Sequence, residues 1–421
     1  MKKFLISLLS FGFFAHIYAA EMKLVYWSHT HDPAVGVNEK IINDFMNENP
    51  NIEVVYDHVP HANYEQKIMT AFAGKEGPDL FWAGDWMVPQ YIENKMIAPV
   101  DPSAFGVSSQ TEFLDLFNPG SLDGFMVDGK VYTGGISEYN SFSLIYNKKH
   151  MDEIGVKLSK DTPVTWNRLA DITSKLTKKT GSKITRIGFS WPYTSGIWNV
   201  LVLEPMLRQA GGELVDVSKG KAMLDTAPAL RVMNYIKKLK DSDAIDPAFY
   251  SDLLGDLANE RASMIIGGPW AVSPLKDMNP DLEWDTAPMA QFSDAKSRIT
   301  TLYAWAWFVN ANTTPEKQKA AWRLINKLTS NQQLWWDKVG YVQARKGNAS
   351  NGQDMDSYMK SSDPRITTIF NDYPHGRYQF ASPHYKEISD MWTRVVTRVL
   401  AGEDPKKVLK DAQNAADFIL D

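Results

Sequence analysis

The chain has 421 residues, no cysteine, and 45 basic residues against 50 acidic, a formal charge of −5. That length buries enough apolar surface to hold a fold without disulfides. The acidic balance argues against a nucleic-acid partner, which selects a basic surface, and the lack of cysteine excludes a lipid-modified N-terminal Cys.

Met1-Lys2-Lys3 is a short basic start, Phe4 to Tyr18 is almost wholly apolar, and Ala19-Ala20 precede the polar Glu21. These are the parts of a cleavable signal peptide, with cleavage expected after Ala19 or Ala20. Loss of Lys2 and Lys3 leaves 43 basic residues and a charge of about −7. The mature chain is expected to be soluble and to act in the periplasm, because no later segment is apolar for long enough to cross a bilayer.

Met22 to Trp27 reads as a strand. Val37, Ile41, Ile42, Phe45 and Met46 fall at helical spacing, and Pro50 stops that helix. Ile52 to Tyr56 is a second strand, Tyr64 to Phe72 a second helix, and Leu80-Phe81-Trp82 a third strand after the turn Gly77-Pro78-Asp79. This alternation predicts an α/β layer with a parallel sheet. Near Tyr139 the texture changes. Strands are predicted at Ser143 to Asn147, near Ile187-Gly188-Phe189, at Ala262 to Ile266 and at Leu302 to Val309. Helices are predicted at Lys148 to Ile154, Thr165 to Thr177 and Ala229 to Leu239, and from Pro315 onward the chain is mostly helical. No linker of low complexity separates the halves, so the domains are expected to interleave.

The chain carries 14 Trp, 17 Tyr and 19 Phe, more than a core requires, which points to flat apolar walls in a binding site. Gly267-Gly268 let the backbone turn sharply after a buried strand, and Pro269 ends its pairing. Trp270 is thereby presented at the carboxyl end of a strand, the edge where open α/β sheets bind ligands. Trp27 and Trp82 also end strands, and Trp191, Tyr193 and Trp198 crowd one loop. Trp305 and Trp307 share a strand face, being two apart. Such walls suit the apolar face of a sugar ring, while carboxylates and amides take its hydroxyls. Glu138, Asn140 and Arg377 are candidates for that polar part, with Asp85 between Trp82 and Trp86.

His29-Thr30-His31-Asp32, with His58 and His61, admits a second reading as a zinc site. A metal is not expected, because the eight strand-helix units of a barrel hydrolase are missing. His29 is instead a candidate for hydrogen bonding to a ligand. No phosphate loop, nucleophile elbow or His-Glu-x-x-His motif is present, and no cofactor is expected.

Several runs occur in order along nearly the whole mature chain. They are Gly77-Pro78-Asp79-Leu80 with Asp85; Leu144 to Lys148; Thr162-Pro163-Val164-Thr165-Trp166; Ala262-Ser263-Met264 into Gly267-Gly268-Pro269-Trp270; Gly340 to Arg345; and Ala401 to Pro405 leading to Ala412-Gln413. Together they resemble the extracellular solute-binding proteins of ABC importers, in the cluster of maltose- and glycerol-phosphate-binding proteins. Gln343 stands where relatives usually carry Pro.

The resemblance implies a two-lobed α/β fold of periplasmic binding proteins, each lobe a mixed sheet flanked by helices, with a ligand cleft between them. Lobe one is expected at 21–140 plus 308–345 and lobe two at 141–307 plus 346–421. It favours Asp85 as a ligand contact. It implies a monomer, not an enzyme, that binds a small-molecule ligand and delivers it to the transmembrane subunits of a permease. The aromatic excess favours a neutral saccharide. The alternatives are a receptor for a glycerophosphodiester or a polyamine, or a secreted glycoside hydrolase or metal-dependent hydrolase built on His29 and His31.

Overall fold

Residues 21–420 are described by the computed structural model; the expected signal segment, residues 1–20, lies outside them. Strand β1 (Met22–His29) pairs in parallel with β2 (Ile52–Val59) and β3 (Leu80–Gly84). Helices α1 (Asp32–Glu48) and α2 (His61–Ala73) cross between them. α1 starts five residues before its apolar stripe, because Pro33 fits a first turn whose N–H groups need no partner. Its Val37, Ile41, Ile42 and Phe45 are buried at three- and four-residue spacing, and Asn38 accepts the Tyr26 hydroxyl at 3.1 Å.

Strand β4 (Ile136–Ser141) is followed at once by β5 (Ser143–Asn147), which begins the second sheet. Helices α3 (Lys148–Glu153) and α4 (Trp166–Leu176) follow; Thr165 caps α4, its hydroxyl accepting the Arg168 N–H at 3.1 Å. Helix α5 (Gly196–Gln209) occupies chain expected to be loop. Val200 to Met206 are all buried, so it has no polar stripe to betray a helical period. Helix α6 (Ala227–Asp241) then leads to β6 (Met264–Gly267) and β7 (Trp284–Pro288), both antiparallel to β5. The expected strand near Phe189 is reduced to isolated bridges, Ile187 to Ala262 and Ser190 to Ile265. Gly188 lies against the Thr173 carbonyl of α4, where any Cβ would collide.

Strand β8 (Thr300–Val309) returns to the first sheet. It runs antiparallel to β3, Trp305 opposite Gly84 and Val309 opposite Leu80. It also pairs antiparallel with β4 through a bulge at Trp305/Ala306. The expected boundaries at 140/141 and 307/308 thus fall inside β4 and β8. The six-stranded sheet is therefore mixed: β1, β2 and β3 are parallel, β8 runs antiparallel to β3 and β4, and a short sixth strand lies parallel to β8.

Helices α7 (Pro315–Thr329) and α8 (Gln332–Val339) cover α1. The buried Gln343 lies beside them; with its amide turned so that each end meets a complementary group, its nitrogen donates to the Thr329 carbonyl at 3.1 Å and its oxygen accepts the Trp335 indole N–H at 3.2 Å. A short strand β9 (Gly376–Arg377) joins β8 in parallel. Helix α9 (Tyr385–Leu400) then packs on α5, and α10 (Pro405–Leu420) packs on α6 and α9. The result is two lobes, one on the six-stranded sheet and one on the sheet of β6, β5 and β7.

Asp79 ties the first lobe together. Its buried carboxylate accepts the Val25 N–H of β1 at 2.8 Å, the Thr313 hydroxyl and the Lys317 ammonium of α7 at 3.1 Å. Asp79→Ala strands those donors, so denaturant titration should show about 2–4 kcal/mol less stability. An unchanged midpoint would mean the carboxylate is dispensable.

Candidate functional site

A cavity of 210 Å3 lies between the lobes. The first lobe supplies strand ends and faces: His29 from the end of β1, His31 just before α1, His61 from the first turn of α2, Trp86 just beyond β3, and Glu138 from β4. Tyr303 and Trp305 project together from β8, and Tyr341 follows α8. The second lobe closes the other side with Ile197, Trp198 and Leu201 of α5 and with Trp270 beyond β6.

Two glycines make room for this packing. A Cβ at Gly84 would strike the Trp86 ring, and one at Gly268 would lie 2.9 Å from both the Asn140 amide oxygen and the Trp270 indole nitrogen. Trp270 donates its indole N–H to the Tyr303 hydroxyl at 2.5 Å, a bond from one lobe to the other. It meets Trp198 edge-on at 6.0 Å, and Trp198 is stacked on Phe142 at 5.1 Å. On the first lobe His29 is stacked on Trp82 at 4.5 Å, and Trp86 stands edge-on to Trp305 at 5.1 Å.

Burial holds the cavity close to neutral. It pushes the His29 imidazole down to about 3, helped by His61 beside it, and lowers His31 and His61 as well. Glu138 is pushed up to about 8 by burial, against the Asn140 amide N–H at 3.0 Å that favours the carboxylate. Neither Lys nor Arg lines the cavity. Among the described residues no group of three or more His, Cys, Asp and Glu is arranged to hold a metal ion. His58 accompanies the Thr30 hydroxyl instead, at 3.0 Å.

Of the residues expected at a site, His29, Glu138, Trp198, Trp270 and Trp305 share this cavity. Six do not line it. Trp27 lies on the His29 face of β1 but one step back, where α2 covers it and the Lys67 ammonium sits 4.0 Å from its ring centre. Trp82 stands behind His29, its indole N–H given to Ser137 at 2.5 Å. Trp191 is a core residue, fully buried against Tyr193 and donating to Asn199 at 3.1 Å. Asn140 is buried behind Gly268 with its amide oxygen unpartnered.

Asp85 accepts the Ala304 N–H at 2.8 Å and faces a second cavity of 540 Å3 instead. Leu302 and Tyr139 line that second space; they alternate with Tyr303 and Glu138, so it lies on the opposite face of β4 and β8. Arg377 lines it too, donating to the Gly376 carbonyl at 2.7 Å.

Sequence reasoning left Tyr303, Tyr341, His31, His61 and Trp86 off the site. The two-residue period through Tyr303, Trp305 and Trp307 carried a signal for Tyr303. On that face Trp307 runs past the cavity into the core, donating to the Tyr26 hydroxyl at 2.8 Å. His61 and Tyr341 depend on how α2 and α8 dock, which no local pattern records.

Asp85 is a buried carboxyl pushed up to about 8 from 3.8, chiefly by burial and opposed by the Ala304 N–H. Such a group stabilises the fold fully below pH 3.8 and loses that contribution as pH rises to about 8. Asp85→Asn keeps an acceptor for Ala304 and cannot ionise. Its melting temperature should therefore fall less with pH across that window, leaving it the more stable protein at the alkaline end. Parallel profiles for the two proteins would sink this account.

The model of the family described as bacterial extracellular solute-binding protein matches residues 29–335. A maltotriose-binding protein of Pyrococcus abyssi is 22% identical over 76% of this chain and 66% of its own length. A solute-binding protein of Thermotoga lettingae bound with alpha-D-tagatose is similar in structure, with a TM-score of 0.79, 24% identity, and 95% and 100% of the two chains covered. An ABC substrate-binding protein of Listeria monocytogenes in complex with cycloalternan gives a TM-score of 0.79 at 20% identity, covering 95% of this chain and 99% of its own. The chain belongs to the bacterial extracellular solute-binding protein family.

Proposed function

We propose that this protein is the periplasmic receptor of an ABC importer and that it captures a saccharide between its lobes. It is exported by residues 1–20, cleaved after Ala19 or Ala20, works as a monomer, and hands its ligand to the permease subunits in the membrane. The observation that carries this reading is the cavity wall: Trp86, Trp198, Trp270, Trp305, Tyr303 and Tyr341 surround one carboxyl and three uncharged imidazoles. Indole and phenol faces cover the C–H face of a pyranose, and Glu138 with the imidazoles takes hydroxyls at its rim. The relatives that bind maltotriose, tagatose and cycloalternan support the same class of ligand.

The rival readings fit the lining less well. A phosphodiester calls for converging Arg or Lys, and the lining has neither. A polyamine calls for several carboxylates, and glycoside hydrolysis for two; the lining offers only Glu138. No chemistry is done on the ligand.

The cavity is walled by both lobes and bridged by Trp270 and Tyr303, so a ligand enters only after the lobes part. Closure then follows from tighter binding to the closed form. A thermal-shift screen against saccharides should find a ligand that raises the melting temperature, since saturation at 100 times Kd is worth about 2.7 kcal/mol. With that ligand, Trp270→Ala should bind at least about tenfold more weakly, because ring burial and stacking together are worth about 2–4 kcal/mol. Unchanged affinity in a folded Trp270→Ala would remove Trp270 from the site. Small-angle scattering should show a smaller radius of gyration on saturation; an equal radius would mean a pocket that needs no closure.

A further inference from the structure

Glu138 is out of balance with its surroundings. The residue is 5% exposed, on a cavity whose other walls are aromatic, imidazole or aliphatic. Its one side-chain partner is the Asn140 amide N–H at 3.0 Å, on the same strand. No cation faces it from any element packed there. β8 presents Tyr303 and Trp305, and the segment after α8 presents Tyr341. The turn before β9 brings Tyr373, the segment after β6 brings Trp270, and the end of β1, the residue before α1 and the start of α2 bring His29, His31 and His61, all three held toward the neutral form. A carboxylate in a dry aromatic box stays protonated unless something positive arrives, and Glu138 is accordingly pushed up to about 8. A counter-charge for the ionised form can come only from the ligand, since the lining supplies none.

Aromatic faces also attract cations. The negative quadrupole of Trp and Tyr rings draws an ammonium, most strongly where water is excluded. Neighbouring indoles and phenols around one uncompensated carboxyl form a receptor for a positively charged nitrogen, whereas hydroxyls alone leave the carboxyl without its charge partner.

We infer that the saccharide bound here carries a free amine, and that its ammonium group lies against Glu138 within the walls of Trp270, Trp305, Tyr303 and Tyr341. The inference rests on the saccharide reading of the same cavity and adds the chemical class, an amino sugar. On binding, the ammonium N–H donates to the Glu138 carboxylate, and the proton that Glu138 held in the empty protein leaves to solvent.

The test uses matched sets of mono- to trisaccharides that differ at one carbon in a hydroxyl, an amine or an N-acetylamine. Calorimetry at neutral pH in two buffers of different ionisation enthalpy reads affinity and proton release together. The amine member should bind at least about tenfold more tightly than its hydroxyl partner, releasing close to one proton. In Glu138→Gln the ratio of amine to hydroxyl affinity should collapse to within about twofold, and proton release should vanish, whatever the change in affinity for the hydroxyl member. Hydroxyl or N-acetyl members binding as tightly as the amine would overturn the inference and leave the saccharide reading standing. So would a preference that survives Glu138→Gln. Choline or putrescine binding with no saccharide bound would overturn the saccharide reading and the amino sugar with it. Should Glu138→Gln not fold, the wild-type preference and proton count decide alone.

Discussion

Strand β8 is the constraint on which the other features depend. All ten of its residues are buried. One edge pairs with β3, so β8 completes the sheet begun by β1 and β2; another run pairs with β4, the strand that leads directly into the second lobe. Its backbone is also where Asp85 lands, on the Ala304 N–H. Its side chains divide by position: Tyr303 and Trp305 meet the cavity, and Trp307 meets Tyr26 and Trp335 in the core. A one-residue slip would turn Tyr303 and Trp305 away from the cleft and bring Leu302 and Ala304 to it. The register against β3 therefore sets the wall of the site as well as the sheet.

The second consequence is electrostatic. Packing indoles and phenols against a strand end removes water from every polar group among them, and ionisation then costs more than it returns. That one cause lowers His29, His31 and His61 and raises Glu138 and Asp85. The imidazoles and the Glu138 carboxyl, which titrate easily in water, are thus held toward their neutral forms in the cavity.

The fold was largely legible because its elements obey local rules. Pro50 and the stripe from Val37 gave α1, the Gly77-Pro78-Asp79 turn gave β3, and Thr165 gave the start of α4. What failed had no local signature. α5 is buried on nearly all sides, its Asn199, Glu204 and Gln209 included, and the run at Phe189 makes isolated bridges without a ladder, with Gly188 pressed against α4. The site followed the same division. Trp270 was legible from the two glycines and proline before it. Trp27 and His29 share a strand face, and only the docking of α2 decides that one is covered while the other is open to the cavity. Asp85 looked like an anchor from its tryptophan neighbours, yet a backbone N–H on a strand more than two hundred residues away claims it.

The Trp270–Tyr303 bond bears on how closure is balanced. It is a neutral hydrogen bond between lobes, and one such bond contributes about 0.5–1.5 kcal/mol net. Its partners would be satisfied by water in an open molecule, so it fixes where the lobes meet more than how firmly they hold. Stronger ties are spent inside each lobe: Asp79 on Lys317 in the first, and Glu204 on Arg208 within α5 of the second. In the closure proposed above, lobes braced internally would move as rigid bodies, and a difference in ligand affinity between open and closed forms would shift the population. Trp198 and Trp270 on one lobe face Trp86 and Trp305 on the other across the cavity, and under the reading proposed above that aromatic wall would supply the difference, gripping a ligand from both sides only when the gap is closed.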